Sequence, residues 1–190
     1  LHNSIIMPSS EVKKISMEGL GRISPDEFKK SKKAPICVVL DNIRSLQNVG
    51  SIFRTSDAFR IERIFLCGIT GQPPSREIEK TALGATESVD YVYFEKTEDA
   101  ITALKSQNWK VVSIEQTTNS ISLEKFKVEE TEKYALVLGN EVFGVQEEVI
   151  AMSDAVIEIP QFGTKHSLNV SISGSIVIWD FYSKSNLNTF

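Results

Sequence analysis

The sequence predicts an α/β protein, an open and mostly parallel six-stranded sheet with helices on both faces. From residue 34 onward, short apolar runs alternate with stretches of helical periodicity. Several of those runs are apolar at consecutive positions, as strands covered on both faces must be. The 190 residues, 41% of them hydrophobic, can bury one sizeable core. That length favours a single domain over 34–190 behind a basic helical extension over 1–33.

The extension carries SPDE at 24–27, with Ser24 as cap, Pro25 at the first helical position and Glu27 closing a capping box, so a short helix runs toward Lys33. ICVVL (36–40) is the first strand. It leads into a helical pattern over 46–60 that contains NVGSIFRTSDAF (48–59). There Val49, Ile52, Phe53 and Phe59 make one buried stripe, and Arg54 faces roughly away from it. Arg54 has two readings, a solvated residue paired with Asp57 or a working cation. RIFLCG (63–68), YVYF (91–94) and WKVVSI (109–114) are the next strands, with helical patterns at 76–83 and 97–107 between them. The polar link 115–133 is expected to add one short helix at SISLEKF. YALVLG (134–139) and AVIEI (155–159) complete the six, separated by a helix at 146–152 and followed by one at 167–184.

That last helix is apolar around most of its circumference, more than one core stripe requires. Ser171, Gly174 and Ser175 would admit a close helical neighbour, either in a homodimer interface or inside the monomer.

Composition excludes several functions. A net charge of −4 argues against a broad positive surface that coats nucleic acid. Residues 1–33 nevertheless carry seven Lys or Arg against four acids, and this basic lead-in suits either a phosphate grip or a solvated helix face. No apolar run approaches the roughly 18 residues that span a bilayer, and the first residues lack the order of a secretory signal, so a cytoplasmic protein without a membrane partner is expected. Cys37 and Cys67 lie in strand-like runs and read as buried thiols, and His2 and His166 provide no zinc ligand set, so no metal is expected. The glycine motifs of dinucleotide and triphosphate sites do not occur in strand–turn–helix context, and no G-x-S-x-G elbow accompanies His166.

In open parallel sheets ligands bind outside the carboxyl ends of the strands. The segments after strands one, five and six are DNIRSLQN (41–48), GNEVFG (139–144) and PQFGTKHSLN (160–169). Gly139 and Gly144 permit close backbone approach, or simply turns. Asn140 and Glu141 bring polar groups to a strand end, and Ser167 and Asn169 are plausible helix caps. Three such segments on one rim point to a ligand.

Together NVGSIFRTSDAF, LVLGNEVFGV and IPQFGTKHSLNVSIS closely resemble the three ordered motifs of the SpoU (TrmH) family of SPOUT RNA methyltransferases, over about residues 36–184. The resemblance implies S-adenosylmethionine as methyl donor, a ribose 2′-hydroxyl of structured RNA as acceptor, a homodimer and a C-terminal trefoil knot. By motif, Gly139, Ile159 and Leu168, with Leu138, Asn140 and Gln161 beside them, correspond to the cofactor pocket, and Glu115 falls on the same rim. Asn48, Arg54, Glu141, Ser167 and Asn169 match the polar catalytic positions. A guanidinium loses its proton only above about pH 12, so Arg54 fits a clamp on phosphate and oxyanion better than a general base. Arg60, Val142, Gln161 and Ser173 depart from the family's usual Gly, Gly, Met and Ala. The absence of a fused RNA-binding domain favours tRNA over rRNA. A knotted base-nitrogen methyltransferase, a non-catalytic RNA-binding module and a flavodoxin-like small-molecule enzyme are the alternatives.

Overall fold

Four strands buried on both faces organise the chain. The structure, a computed structural model, describes residues 13–16 and 18–185. In chain order the elements are α1 (Pro25–Lys30), β1 (Ala34–Asp41), α2 (Leu46–Ala58), β2 (Ile61–Cys67), α3 (Arg76–Ala82), α4 (Ala85–Ser88) and β3 (Tyr91–Phe94). There follow α5 (Thr97–Ser106), β4 (Trp109–Ile114), β5 (Ile121–Ser122), β6 (Lys133–Leu138), α6 (Glu147–Met152), β7 (Ala155–Glu158) and α7 (Val170–Lys184).

The sheet order is β3-β2-β1-β6-β4-β7-β5, and every pairing is parallel. Neighbours lie on opposite sides of β1 and β6, which makes that junction the topological switch point. Alternation along β1 separates the two layers. Ile36, Val38 and Leu40 pack with Phe28, Val49, Ile78, Ala85 and Val177 from α1, α2, α3, α4 and α7. Cys37 and Val39 face Ile101, Leu104 and Val149 from α5 and α6. Each large apolar side chain buried this fully stabilises the fold by roughly 1.5–3 kcal/mol.

The sheet has seven strands where the sequence predicted six. The added strand, β5, is two residues long and pairs through Ile121↔Ile157 and Ser122↔Glu158. A single apolar residue in a polar link carries no strand periodicity, and the edge of β7 supplies the order instead. The expected helix at SISLEKF is therefore this strand followed by a 3-10 turn at Leu123–Lys125. The pattern over 76–83 ends where Leu83 takes a left-handed conformation at φ 50°, and a second short helix follows. The last helix starts at Val170, because the Asn169 side chain accepts from the Ser171 and Ile172 N–H groups and caps it.

The capping box of α1 forms with both of its hydrogen bonds. Phe28 sits in the main core, and Lys33 lies 4.0 Å over its ring. α1 is thus packed on the sheet domain through Phe28, whereas residues 1–12 and Met17 lie outside the described residues. Lys13 and Lys14 are exposed. Cys37 and Cys67 are buried thiols, and burial pushes the Cys67 thiol up to about 12. No helix among the described residues is long and apolar enough to cross a membrane.

The small residues of α7 are used inside the chain. A Cβ on Gly174 would meet Ile52 and Leu138, and the hydroxyls of Thr55 and Ser175 lie 2.9 Å apart. This face packs against α2. The apolar residues left exposed on α7 are Ile172, Ile176 and Trp179, which share one face at helical spacing.

Candidate active site

The carboxyl ends of β4, β6 and β7 surround a cavity of about 890 Å³. It is lined by parts of the turn after β6, the segment after β7 and the end of β4. Two of the three predicted rim segments, 139–144 and 160–169, thus contribute directly, and the third, 41–48, is tied to them by hydrogen bonds.

Glu141 makes the tie. One carboxylate oxygen accepts from the Arg44 N–H at 2.9 Å; the other accepts from the Ser45 N–H at 3.0 Å and the Asn48 side-chain amide at 2.9 Å. The carboxylate lies at the N-terminal end of α2, where negative charge is favoured. Burial pushes the Glu141 carboxyl up, but the hydrogen bonds from Arg44, Asn48 and Ser45 outweigh it and hold the group below its ordinary value. Glu141 is an ionised brace. The Asn169 amide donates to the Asn48 Oδ1 at 3.1 Å, so Asn169, Asn48 and Glu141 form one chain across three segments. An amide NH₂ has two donors, and each asparagine spends one of them in this chain.

The turn after β6 is fixed just as tightly. The Asn140 amide donates to the Asn42 carbonyl at 2.7 Å, and its oxygen accepts from the Val142 and Phe143 N–H groups. A Cβ on Gly139 would collide with backbone atoms of Gly144 and Val145, so only glycine fits that close approach. Glu115 lines the cavity with both oxygens engaged, accepting from the Val145 and Gln116 N–H groups at 3.0 and 2.8 Å.

Every proposed cofactor residue (Leu138, Gly139, Asn140, Ile159, Gln161, Leu168 and Glu115) lines this cavity, as do Glu141, Ser167 and Asn169. Asn48 reaches it through Asn169. Arg54 does not line it. Arg54 is exposed on the outward face of α2, and no ion pair with Asp57 forms among the described residues. Arg60 takes φ 48°, so the turn closing α2 is left-handed despite the side chain.

Sequence reasoning missed the buried brace beneath the rim. Asp41, fully buried at the end of β1, accepts from the Thr97 hydroxyl at 2.6 Å and the Gln146 N–H at 2.9 Å. Asn42, with φ 57°, donates to Gln146 and accepts from the Ile69 N–H. An acid ending an otherwise apolar strand was the available signal.

A parallel sheet with a switch-point cavity of apolar, backbone and carboxylate walls, beside a fixed amide–carboxylate chain, defines a protein with a small-molecule site at its strand ends. The comparisons specify which. Residues 35–179 match the SpoU rRNA Methylase family. An uncharacterized tRNA/rRNA methyltransferase of Borreliella burgdorferi is 32% identical over 162 residues, 85% of this chain and 69% of that one. The tRNA (guanosine(18)-2′-O)-methyltransferase of Aquifex aeolicus is 27% identical, covering 81% of this chain and 72% of that one. The solved AdoMet-bound rRNA methyltransferase of Sinorhizobium meliloti superposes with a TM-score of 0.74 at 27% identity, covering 85% of this chain and 61% of that one. The chain belongs to the SpoU rRNA methylase family.

Proposed function

We propose that the protein transfers a methyl group from S-adenosylmethionine to a ribose 2′-hydroxyl of RNA, with tRNA preferred, as a homodimer with a knotted C-terminal region. One observation carries this reading: Asn169, Asn48 and Glu141, from three distant segments, are hydrogen-bonded at the edge of one adenosine-sized cavity.

The cavity suits the donor. Its volume lies in the range of small-molecule sites, its walls at Leu138, Ile159 and Leu168 are apolar, and among the described residues its lining carries Glu115, Glu141, Glu147 and Glu158 but no Lys or Arg. Such a lining favours a cationic ligand over a phosphorylated one. S-adenosylmethionine supplies an electrophilic methyl on a sulfonium. The remaining donors of the Asn48 and Asn169 amides hold the acceptor ribose, while Glu141 keeps Asn48 in place. Glu141 and Glu115 are held by N–H donors and act as braces, and the hydroxyl proton passes to water as the oxygen–methyl bond forms and the sulfonium–methyl bond breaks. Arg54 steadies the RNA phosphate and the developing oxyanion. Because Arg54 does not line the cavity of its own chain, it serves the cavity of the partner copy.

Dimerisation through the exposed Ile172, Ile176 and Trp179 stripe covers apolar surface that a monomer leaves in water. The knot is carried by the family likeness, and the strand order with β4 between β6 and β7 is compatible with it.

Labelled S-adenosylmethionine incubated with the protein and total tRNA or rRNA, followed by nucleoside analysis, tests the reading. Label in 2′-O-methylated nucleosides of tRNA is expected. Label on a base nitrogen instead would assign the protein to the base-modifying branch, and cofactor-independent RNA binding without transfer would make it a binding module.

A further inference from the structure

We propose that Arg44 binds a phosphate of the RNA beside the acceptor nucleotide, and that the recess it lines is the seat of that nucleotide. The inference rests on the RNA-methyltransferase reading above. A second recess of about 350 Å³ is lined by Arg44, Ser45 and Glu141. Glu141 also lines the larger cavity, so one carboxylate forms a wall of both spaces. A nucleotide seated in the smaller one has its ribose next to the Asn48 amide, which bonds the same carboxylate.

Charge separates the two spaces. Among the described residues the large cavity is lined by four glutamates and by no Lys or Arg, which suits a sulfonium and repels a phosphate. Arg44 is the single Lys or Arg among the described residues that lines either recess. Its backbone is fixed, because its N–H and that of Ser45 are bonded to the two oxygens of Glu141. Its guanidinium is exposed and makes no hydrogen bond or ion pair among the described residues. With the backbone anchored, only the side chain must be ordered to grip a phosphate, and the guanidinium fork matches phosphate oxygens in bidentate geometry. Arg44 lies outside the three motifs that carry the family resemblance.

The test uses the full protein and fluorescently labelled unfractionated tRNA, with anisotropy read between about 50 and 200 mM salt. Arg44→Ala should weaken tRNA binding about tenfold and reduce the slope of log K against log salt by about one. Arg44→Lys should restore the slope, since the charge returns, but only part of the affinity. The KM for tRNA should rise in parallel. S-adenosylmethionine affinity, measured by calorimetry, should stay at the wild-type value in both variants, which also shows that they fold. Unchanged tRNA affinity and slope in Arg44→Ala would overturn the proposal, as would a matching loss of S-adenosylmethionine binding, which would place Arg44 at the cofactor. A wild-type protein that binds S-adenosylmethionine but no RNA would overturn the functional reading first and this inference with it.

Discussion

Glu141 accepts hydrogen bonds from two backbone N–H groups and one amide, and its carboxyl is held below the ordinary value of 4.5. A group whose folded value is depressed stabilises the fold fully above its unfolded value and loses that contribution as pH falls through the folded one. Glu141→Gln should therefore lower stability at neutral pH and flatten its acid decline below about 4.5, as read by urea unfolding across pH. Asp154 is held low as well, with burial opposed by Lys105 and the Val111 N–H, so the variant keeps part of the decline. An unchanged acid limb would mean that Glu141 braces nothing. Arg54→Ala should cut methyl transfer by orders of magnitude while cofactor affinity holds, and Arg54→Lys should rescue little because the planar fork is lost. Near-normal turnover in either variant would return Arg54 to a solvated surface role. Arg60 pays for a left-handed conformation that glycine adopts without strain. Arg60→Gly should stabilise by about 1 kcal/mol and raise Tm by roughly 2–4 °C. An unchanged Tm would show that contacts of the Arg60 side chain offset the strain.

The packing of α7 on α2 depends on Gly174, whose missing side chain leaves room for Ile52 and Leu138. Gly174→Val should destabilise by about 1–3 kcal/mol in thermal or urea unfolding, the usual cost of overpacking, and no change would mean that the two helices separate easily. Small residues on an apolar helix signal a close neighbour without saying which one. From the sequence the neighbour was open between a second subunit and the same chain, and the structure uses the small face internally while leaving Ile172, Ile176 and Trp179 outside. Six strands and the capping box were legible because their periodicity or spacing is local. β5 was not, because two residues at an edge are ordered by pairing with β7 alone. The convergence of 139–144 and 160–169 was legible from the rule on strand ends. The Asp41 brace and the Glu141–Arg44 contact were not, because backbone N–H donors have no signature in a sequence.

At the scale of the molecule the proposed homodimer is motivated by Arg54, which is exposed and does not line the cavity of its own chain. Trp179→Glu should shift the protein to monomers in sedimentation and abolish transfer, because a charge placed in an apolar interface is left without a partner. Mixed dimers of Arg54→Ala and Asn48→Ala should recover activity that neither variant has alone, and a silent mixture would place both groups in one chain's site. Underneath these lies the cavity itself. Calorimetric titration with S-adenosylmethionine tests it most directly, in wild-type protein and in Gly139→Ala, whose added carbon displaces the Gly144–Val145 backbone. The account predicts one molecule bound per wild-type chain and loss of binding in the variant. No binding to the wild type, or undiminished affinity in Gly139→Ala, would contradict it.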